Sequence, residues 1–189
     1  MKALFALALG TLLASSALAQ STPKQNELFL SVGDAGLIFA IEDVVVAVGT
    51  LGNVTYGAQE GGYQIAGGYQ RRLGTWASAG VTASWAGARK TVHVHGTPYG
   101  KVERRLLTLM AEGRAHWLRR RSVELYSGIA LGVAQMGDDL SSLSEEGDLT
   151  TLGFHVTVLG MRVGRDVGGF LELGAGFNGF LKAGLSGRF

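Results

Sequence analysis

Few side chains in this sequence have the types and spacing that metal binding requires. His93 and His95 stand two residues apart, so on a strand they would share one face and could ligate one metal ion. No third ligand is evident nearby, and a short histidine pair is a weak motif. The acidic segment from Asp138 to Asp148 lacks the ligand order and central glycine of an EF-hand. We interpret both segments as solvated loops and expect no metal and no cofactor.

Nucleophilic catalysis would need a serine or cysteine beside a histidine base and an acid. The sequence has no cysteine, which excludes a thiol nucleophile, a disulfide and a cysteine zinc site. Ser127 and Ser186 have no convincing histidine partner. His116 has Glu112 and Glu124 as neighbours on the strand pattern described below, which could serve acid–base chemistry. Pairing in the protein interior explains these three residues better, so we predict no catalytic residues and no enzymatic activity.

The N-terminus has the pattern of an export signal. Lys2 supplies a positive charge, Ala3 to Leu13 form an apolar run, and Ala17-Leu18-Ala19 matches a small-x-small cleavage site. We predict a cleaved signal peptide over 1–19 and a single barrel domain over 20–189. A retained anchor helix is the alternative, but the apolar run is shorter than the roughly 20 residues that span a bilayer. An exported protein does not meet nucleic acid, so none is expected as a partner.

The rest of the chain is apolar but contains no candidate membrane helix. Hydrophobic residues make up 47% and charged residues 17%, which is more apolar than an ordinary soluble domain. The longest apolar candidate, Leu37 to Val48, is interrupted by Glu42 and Asp43. If the protein lies in a bilayer, it must therefore cross it with strands. The 30 glycines, many inside apolar runs, fit the bends and close contacts of a tightly curved barrel.

Apolar and polar side chains alternate in runs of the kind that form membrane-barrel strands, which are about 10 residues long. The last two runs are the clearest, and the Asn178-Gly179 pair between them is a strong hairpin signal. In the sixth run the alternation changes phase near Leu159-Gly160, which indicates a β-bulge or an error in the assigned register. Eight runs alternate in this way: 27–33, 61–70, 75–88, 102–118, 122–136, 150–164, 168–177 and 180–189.

The connections between these runs differ in length in a regular way. The long ones are 34–60, 89–101 and 137–149, whereas 71–74, 119–121, 165–167 and 178–179 are short. Outer-membrane barrels have short periplasmic turns and longer outer loops. The predicted fold is therefore all-β: an eight-stranded antiparallel up-and-down transmembrane β-barrel with both termini in the periplasm. Aromatic residues near predicted strand ends, where membrane barrels carry aromatic girdles, are Tyr63, Tyr69, Trp76, Trp85, Trp117 and Phe189.

The first long loop has helical spacing. Leu37, Ile41, Val44, Val48 and Leu51 follow it, and a capping residue is available at position 34. We predict a short helix over 35–50 that plugs the mouth of the barrel or lies in the membrane interface. The alternative is a strand over Val44 to Val48, because β-branched residues favour strands.

Inward-facing positions of the predicted strands carry charges of both signs. Eight strands enclose a lumen that side chains can fill, and charges in so narrow a space must be paired. The inward set contains three acids and three bases: Glu112, Arg114, Glu124, Glu172, Lys182 and Arg188. We therefore predict a structural salt-bridge network without an open channel. A path for transported solutes is the functional alternative.

The C-terminal segment 185–189, ending on Phe189, resembles the signal by which the outer-membrane barrel insertion machinery selects its clients. Segments 125–132, 159–164 and 168–179 resemble a family of small, largely uncharacterised outer-membrane barrel proteins of Gram-negative bacteria. The likeness extends over nearly the whole mature chain and, more distantly, to the OmpA and OmpX type. It implies an outer-membrane location, with outer-membrane lipid, lipopolysaccharide and the insertion machinery as partners. It carries over no catalytic motif.

Three functions are compatible with this sequence, and we give them in order of preference. The first is an integral outer-membrane barrel with a structural or surface-interaction role, whose extracellular ligand the sequence does not name. The second is a narrow transporter or porin-like channel for small molecules, with the 35–50 helix as its gate. The third is a lipid-modifying enzyme, which the missing nucleophile–base pair disfavours.

Overall fold

The structure, a computed structural model, describes residues 24–35, 48–51, 53–56, 60–95, 97–140 and 146–189. Its strands are β1 (Asn26–Asp34), β2 (Val54–Tyr56), β3 (Glu60–Arg72), β4 (Ala77–Val94), β5 (Thr97–Arg119), β6 (Val123–Leu140), β7 (Glu146–Gly164), β8 (Val167–Gly176) and β9 (Leu181–Arg188). None of these residues belongs to a helix with the length and apolarity of a membrane span.

Eight of the strands form a closed antiparallel ring. Each pairs with its neighbours along the chain, and β1 closes the ring by pairing with β9 on one side and β3 on the other. The short strand β2 prolongs the β3 side of β4, where Val54 lies opposite Val94. The predicted all-β, eight-stranded, antiparallel up-and-down barrel is therefore confirmed.

The two ends of the barrel differ, and we call them the terminal end and the loop end. At the terminal end β1 begins and β9 stops, and Asn26 and Phe189 exchange two backbone hydrogen bonds of 3.2 and 3.0 Å. Three tight turns join the strands there, after Arg72, Arg119 and Gly164. The loop end is the opposite one. Strands β4 to β7 have 18 to 23 residues against 8 to 10 in β1, β8 and β9, so one side of the wall rises higher at the loop end.

The prediction of long loops over 89–101 and 137–149 was wrong. Strands β4 and β5 continue to Val94 and from Thr97, and β6 and β7 continue to Leu140 and from Glu146. These segments show no clear apolar alternation, but an exposed strand face accommodates charge when opposite charges pair across strands. Arg89 of β4 and Glu103 of β5 form such a pair. They are register partners, and Arg89 Nε donates to Glu103 Oε1 at 2.7 Å.

The phase change in the sixth run is a bulge. In the pairing of β7 with β8 the register shifts between Thr157 and Leu159 of β7, and in the pairing of β6 with β7 it shifts between Tyr126 and Gly128 of β6. The extra residue puts Val158 and Leu159 together on the outer face, while Thr157 and Gly160 point inward. The Ser127 hydroxyl donates to the Val158 carbonyl at this point. The bulge restores the inward direction for Arg162, which the sequence had left out of phase.

Two predicted segments fall largely outside the described residues. The signal peptide over 1–19 lies wholly outside them and stays a prediction. Of the helix predicted over 35–50, the structure describes Ala35 and Val48 to Thr50, where Leu51 N bonds Val48 O at 3.2 Å in a single turn. Of these residues only Val48 and Gly49 are helical, and most of the predicted helix lies outside the described part of the chain, so the helix is not supported and stays a prediction.

The loop end of the lumen is closed by the β8–β9 turn. Gly179 takes φ of 85°, as the Asn-Gly signal predicts, and Asn178 turns into the barrel with 1% of its surface exposed. Asn178 lies 3.3 Å from both the Ser84 and Thr108 hydroxyls, and Gln64 donates to the Phe177 carbonyl at 2.9 Å. These contacts tie the turn to the inner wall.

Candidate functional site in the barrel lumen

Four charged side chains from three strands meet in the middle of the lumen, in what we call the central cluster: Glu112, Arg114, Glu172 and Lys182. Glu112 and Arg114 are two apart on β5 and so share its inner face. Glu172 of β8 and Lys182 of β9 are register partners. Alternation along one strand and pairing between two others thus bring the four charges together.

The central cluster is balanced, with two acids and two bases. Arg114 Nε donates to Glu112 Oε1 at 2.6 Å, and Arg114 Nη2 lies 3.2 Å from Glu172 Oε1. Lys182 Nζ lies 2.5 Å from Glu172 Oε2. All four residues are buried, with Glu172 only 1% exposed. Buried charges are stable only when paired and further hydrogen-bonded, and this chain of contacts provides the pairing.

Neutral side chains complete the central cluster. The Tyr126 hydroxyl donates to Glu172 at 2.6 Å, and the Thr82 hydroxyl donates to Glu112 at 2.8 Å. The Arg114 guanidinium lies 4.8 Å from the ring centre of Tyr126 and 5.3 Å from that of Phe29. These contacts combine hydrogen bonds with cation–π attraction, which is stronger where water is excluded.

The Tyr126 ring depends on a glycine opposite it. Gly160 of β7 is the register partner of Tyr126, and a Cβ added at Gly160 would collide with the Tyr126 ring. A lumen this narrow holds a large side chain only where the facing residue is small.

A second group of charges lies at the terminal end, in what we call the terminal-end cluster: Glu27, Arg72, Arg119, Glu124, Arg162 and Arg188. Glu124 is its centre: Arg188 donates to both its oxygens at 2.8 and 2.5 Å, and Arg72 donates at 2.7 Å. Arg188 also donates to Glu27 at 2.6 Å. A bidentate arginine–carboxylate pair fixes orientation as well as charge.

The other two arginines of this cluster rely largely on neutral acceptors. Arg162 lies 3.4 Å from Glu27 and donates to the Ser186 hydroxyl at 2.6 Å and to the Gly164 carbonyl at 3.1 Å. Arg119 donates to the carbonyls of residues 74 and 75 at 3.0 and 2.7 Å, and its Nε lies 3.6 Å from Glu124. The terminal-end cluster therefore has four guanidiniums and two carboxylates.

The six residues predicted to form the lumen network all point inward, but they belong to two clusters. Glu112, Arg114, Glu172 and Lys182 form the central one, while Glu124 and Arg188 lie in the terminal-end cluster. The sequence interpretation missed four members of the latter: Glu27, Arg72, Arg119 and Arg162. Arg72 and Arg119 had been placed in turns, and Arg162 was out of phase without the bulge. Glu27 begins the first predicted run, 27–33, but it was not included in the inward charged set.

The histidines and serines considered for chemistry occupy other settings. His93 lies on β4 opposite Pro98, and His95 is a turn residue with φ of 50°, so the predicted loop holds for His95 alone. His116 lies 3.1 Å from the Ser78 hydroxyl and 3.8 Å from Glu124. Ser186 accepts from Arg162. Among the described residues, no group of three His, Cys, Asp or Glu side chains could hold a metal ion.

The acidic segment is in part strand. Asp138 and Asp139 belong to β6, and Glu146 and Asp148 belong to β7, whereas residues 141–145 lie outside the described residues. Its interpretation as a solvated loop is corrected for these four positions. At these positions β6 and β7 pair through backbone hydrogen bonds, so the segment is strand and not loop.

The outer wall is the reverse of the lumen. Exposed on it are large apolar side chains from every strand of the ring, including Leu30, Ile65, Val81, Leu109, Ile129, Val158, Leu171 and Leu185. Ile129 is 62% exposed, whereas its inward neighbour Ala130 is 2% exposed. In β8, exposed and buried residues alternate over nearly the whole strand. A continuous apolar surface of this kind marks contact with an apolar partner or membrane.

Exposed aromatic residues lie near both ends of this apolar surface. Trp76 and Trp117 are 69% and 61% exposed beside the terminal-end turns. Toward the loop end, the rings of Tyr63 and Trp85 pack at an angle of 59° with their centres 5.8 Å apart. Beyond Trp76 and Trp117, Lys24 Nζ lies 2.8 Å from Asp166 in the β7–β8 turn. The hydrogen bond from Lys24 lowers the pKa of the Asp166 carboxyl from its usual value.

No family model and no curated protein matches the chain. Among solved structures, it is similar to the N-terminal β-barrel domain of Pseudomonas aeruginosa OprF, with 11% identity and a TM-score of 0.47 over 89% of this chain and 100% of that one. It is also similar to Ail, the attachment invasion locus protein of Yersinia pestis, with 13% identity and a TM-score of 0.40 over 87% of this chain and 98% of that one.

Proposed function

We propose that this protein is an integral outer-membrane barrel with a structural or surface-interaction role. The observation that carries the proposal is the reversed distribution of side chains, with charges buried in the lumen and large apolar residues exposed on the wall. In water, the hydrophobic effect favours the opposite arrangement. In a bilayer, a closed barrel satisfies its backbone hydrogen bonds within the wall and presents apolar side chains to lipid.

The dimensions of the wall support a membrane span. Strands β1, β8 and β9 have 9, 10 and 8 residues, and a tilted transmembrane strand needs about 9 to 11. Exposed aromatic rings near both ends of the apolar surface fit the girdles of membrane barrels. The tight turns of the terminal end suit the periplasm, and the taller wall of β4 to β7 then projects outward.

The filled lumen favours a structural role over transport. Arg162, Tyr126 and Glu172 are each at most 2% exposed, and Asn178 closes the loop end. Specificity would then reside in the outer hairpins, toward an extracellular ligand of unknown chemistry. The proposal includes a cleaved signal over 1–19, Phe189 as the insertion signal, and outer-membrane lipid, lipopolysaccharide and the insertion machinery as partners.

Membrane fractionation with a heat-shift gel tests the location. We expect the protein in the outer-membrane fraction, and a band that changes mobility on boiling because the closed barrel resists detergent until heated. A protein found in the soluble periplasmic fraction without a shift would overturn the membrane proposal. A lumen that conducts in planar bilayers would favour the transporter alternative.

Replacing one apolar wall residue with arginine tests contact with lipid. Ile129 lies six residues into β6, about 15 Å from the terminal end at about 3.3 Å per residue and a tilt of about 40°. Ile129→Arg should lower the free energy of unfolding in lipid vesicles by about 2–4 kcal/mol, the cost of a cation near the bilayer midplane.

Leu149→Arg is the matched control for this variant. Leu149 has the same 62% exposure as Ile129 but lies fifteen residues from Gly164 at the end of β7, about 38 Å by the same geometry. It should therefore lie beyond the apolar band, and its replacement should change stability by about 0–1 kcal/mol. Equal, small effects of both variants would mean that the wall at Ile129 faces water.

A further inference from the structure

We propose that the terminal-end cluster binds one small inorganic anion of halide size between Arg72, Arg162 and Arg188. The inference goes beyond the structural role proposed above. It concerns the folded barrel itself and holds whichever membrane the barrel occupies.

The charges of the lumen are unevenly balanced between its two clusters. The central cluster pairs two carboxylates with two cations, whereas the terminal-end cluster has four guanidiniums and two carboxylates among the described residues. Both oxygens of Glu124 already accept from arginine, and Glu27 is shared between Arg188 and Arg162. The four guanidiniums of this cluster therefore share two carboxylates, which leaves an excess of two positive charges.

Part of the terminal-end cluster is buried. Arg162 is 2% exposed and Glu124 is 3% exposed, so water does not screen this part of the cluster. Excess charge of one sign in such surroundings is unfavourable unless a counter-charge accompanies it. A mobile anion from solution supplies that counter-charge without any further carboxylate in the chain.

A buried amide without a hydrogen-bond partner lies beside the arginines. Gln70 is 3% exposed, and neither its Nε2 nor its Oε1 has a hydrogen-bond partner. It lines the same small cavity as Arg72, Arg162 and Arg188. A buried amide without a partner is costly, and an anion in the cavity would accept from its Nε2.

The size of the cavity limits the ligand. Its volume is about 10 Å³, which is room for a single water-sized particle. Phosphate, sulfate and carboxylate ligands are too large, whereas a monatomic halide, although larger than water, is the smallest common inorganic anion. The Arg72 side chain is 25% exposed at the mouth and can yield to such an ion. Glu27 and Glu124 also line the cavity, but their oxygens face guanidinium groups.

The test is the stability of the full-length barrel in detergent at constant ionic strength, with chloride replaced stepwise by gluconate, an anion too large for the cavity. Screening acts equally in both salts and weakens ion pairs. Binding instead lowers the unfolding equilibrium constant by a factor of one plus the halide concentration over its Kd. We expect stability to rise with chloride concentration as this relation describes. Equal stability in chloride and gluconate would overturn the proposal.

Two variants of the terminal-end cluster should change this response in opposite directions. Arg72→Gln removes one excess positive charge and should reduce the chloride response, whereas Glu27→Gln adds one and should increase it. Arg89→Gln, at the exposed loop end, is the matched control and should respond as the unaltered protein does. Each variant is first checked for barrel closure by the heat-shift gel; if one does not fold, the other still tests the sign. Parallel responses of the folded variants would overturn the proposal.

Bromide locates the ion directly. In crystals grown with bromide, anomalous scattering should show a peak among Arg72, Arg162 and Arg188. No peak there would mean that water fills the cavity, which overturns the proposal. Because both measurements use the folded barrel, their failure leaves the membrane location untouched, and a soluble barrel that responds to chloride would contradict only the location.

Discussion

The central and terminal-end clusters contain the same kinds of side chains but solve the problem of buried charge differently. In the central cluster, Glu172 and Arg114 are enclosed by rings and by the wall, and every cation has a carboxylate. At the terminal end, the Arg72 and Arg119 side chains are 25% and 20% exposed, and cations outnumber carboxylates. Partial exposure of Arg72 and Arg119, together with the anion proposed for the buried part of this cluster, thus permits an imbalance that the middle of the lumen does not tolerate.

The largest difference should come from removing one cation from the central cluster. Arg114→Leu leaves Glu112 and Glu172 buried with Lys182 as their remaining cation, so the free energy of unfolding should fall by about 3–5 kcal/mol. Equilibrium unfolding in urea with lipid vesicles measures this. Unchanged stability combined with a changed conductance would show that Arg114 serves transport and not structure.

A smaller loss should follow from crowding the same cluster without changing its charge. Gly160→Ala pushes the Tyr126 ring away from Glu172 and should cost about 1–3 kcal/mol, as overpacking does elsewhere. Gly187→Ala is the matched control, because an added Cβ at Gly187 meets nothing within 4 Å. If both alanine variants unfold alike, the Tyr126 contact contributes little to the cluster.

The smallest change should come from removing a cation at the terminal end. Arg72→Gln leaves Glu124 with its bidentate partner Arg188, so at low halide concentration the loss should stay below about 1 kcal/mol, as for partly exposed pairs. The same urea titration measures it. A loss as large as that of Arg114→Leu would mean that the two clusters do not differ in their need for balance.

Local patterns predicted most of the strands because each needs only its own alternation. The runs at 168–177 and 180–189 were placed to within one residue of β8 and β9, and the Asn178-Gly179 turn joins them. The charged hairpins at 89–101 and 137–149 were mistaken for loops, because strand pairing outside the apolar band leaves no apolar alternation to detect. The helix over 35–50 rested on spacing alone, and the described residues of that loop do not support it.

The inward direction of Glu112, Arg114 and Glu172 could be predicted for the same reason, since side chains on a strand alternate between faces. Their grouping could not be. Arg162 required a bulge whose position depends on pairing with both β6 and β8. Glu27 and Arg188 meet only because the first and last strands of the ring are neighbours.

The sequence alone determined that this chain forms eight alternating strands with apolar residues on one face and paired charges on the other, because the period of two is a local property of the backbone. Tertiary structure decided which charges meet. Closure of the ring and the bulge in β7 set the register, and register decides that the balanced group lies in the middle and the excess of arginine at the terminal end. Pairing between strands far apart in the chain has no local signature, so only the closed barrel contains that information.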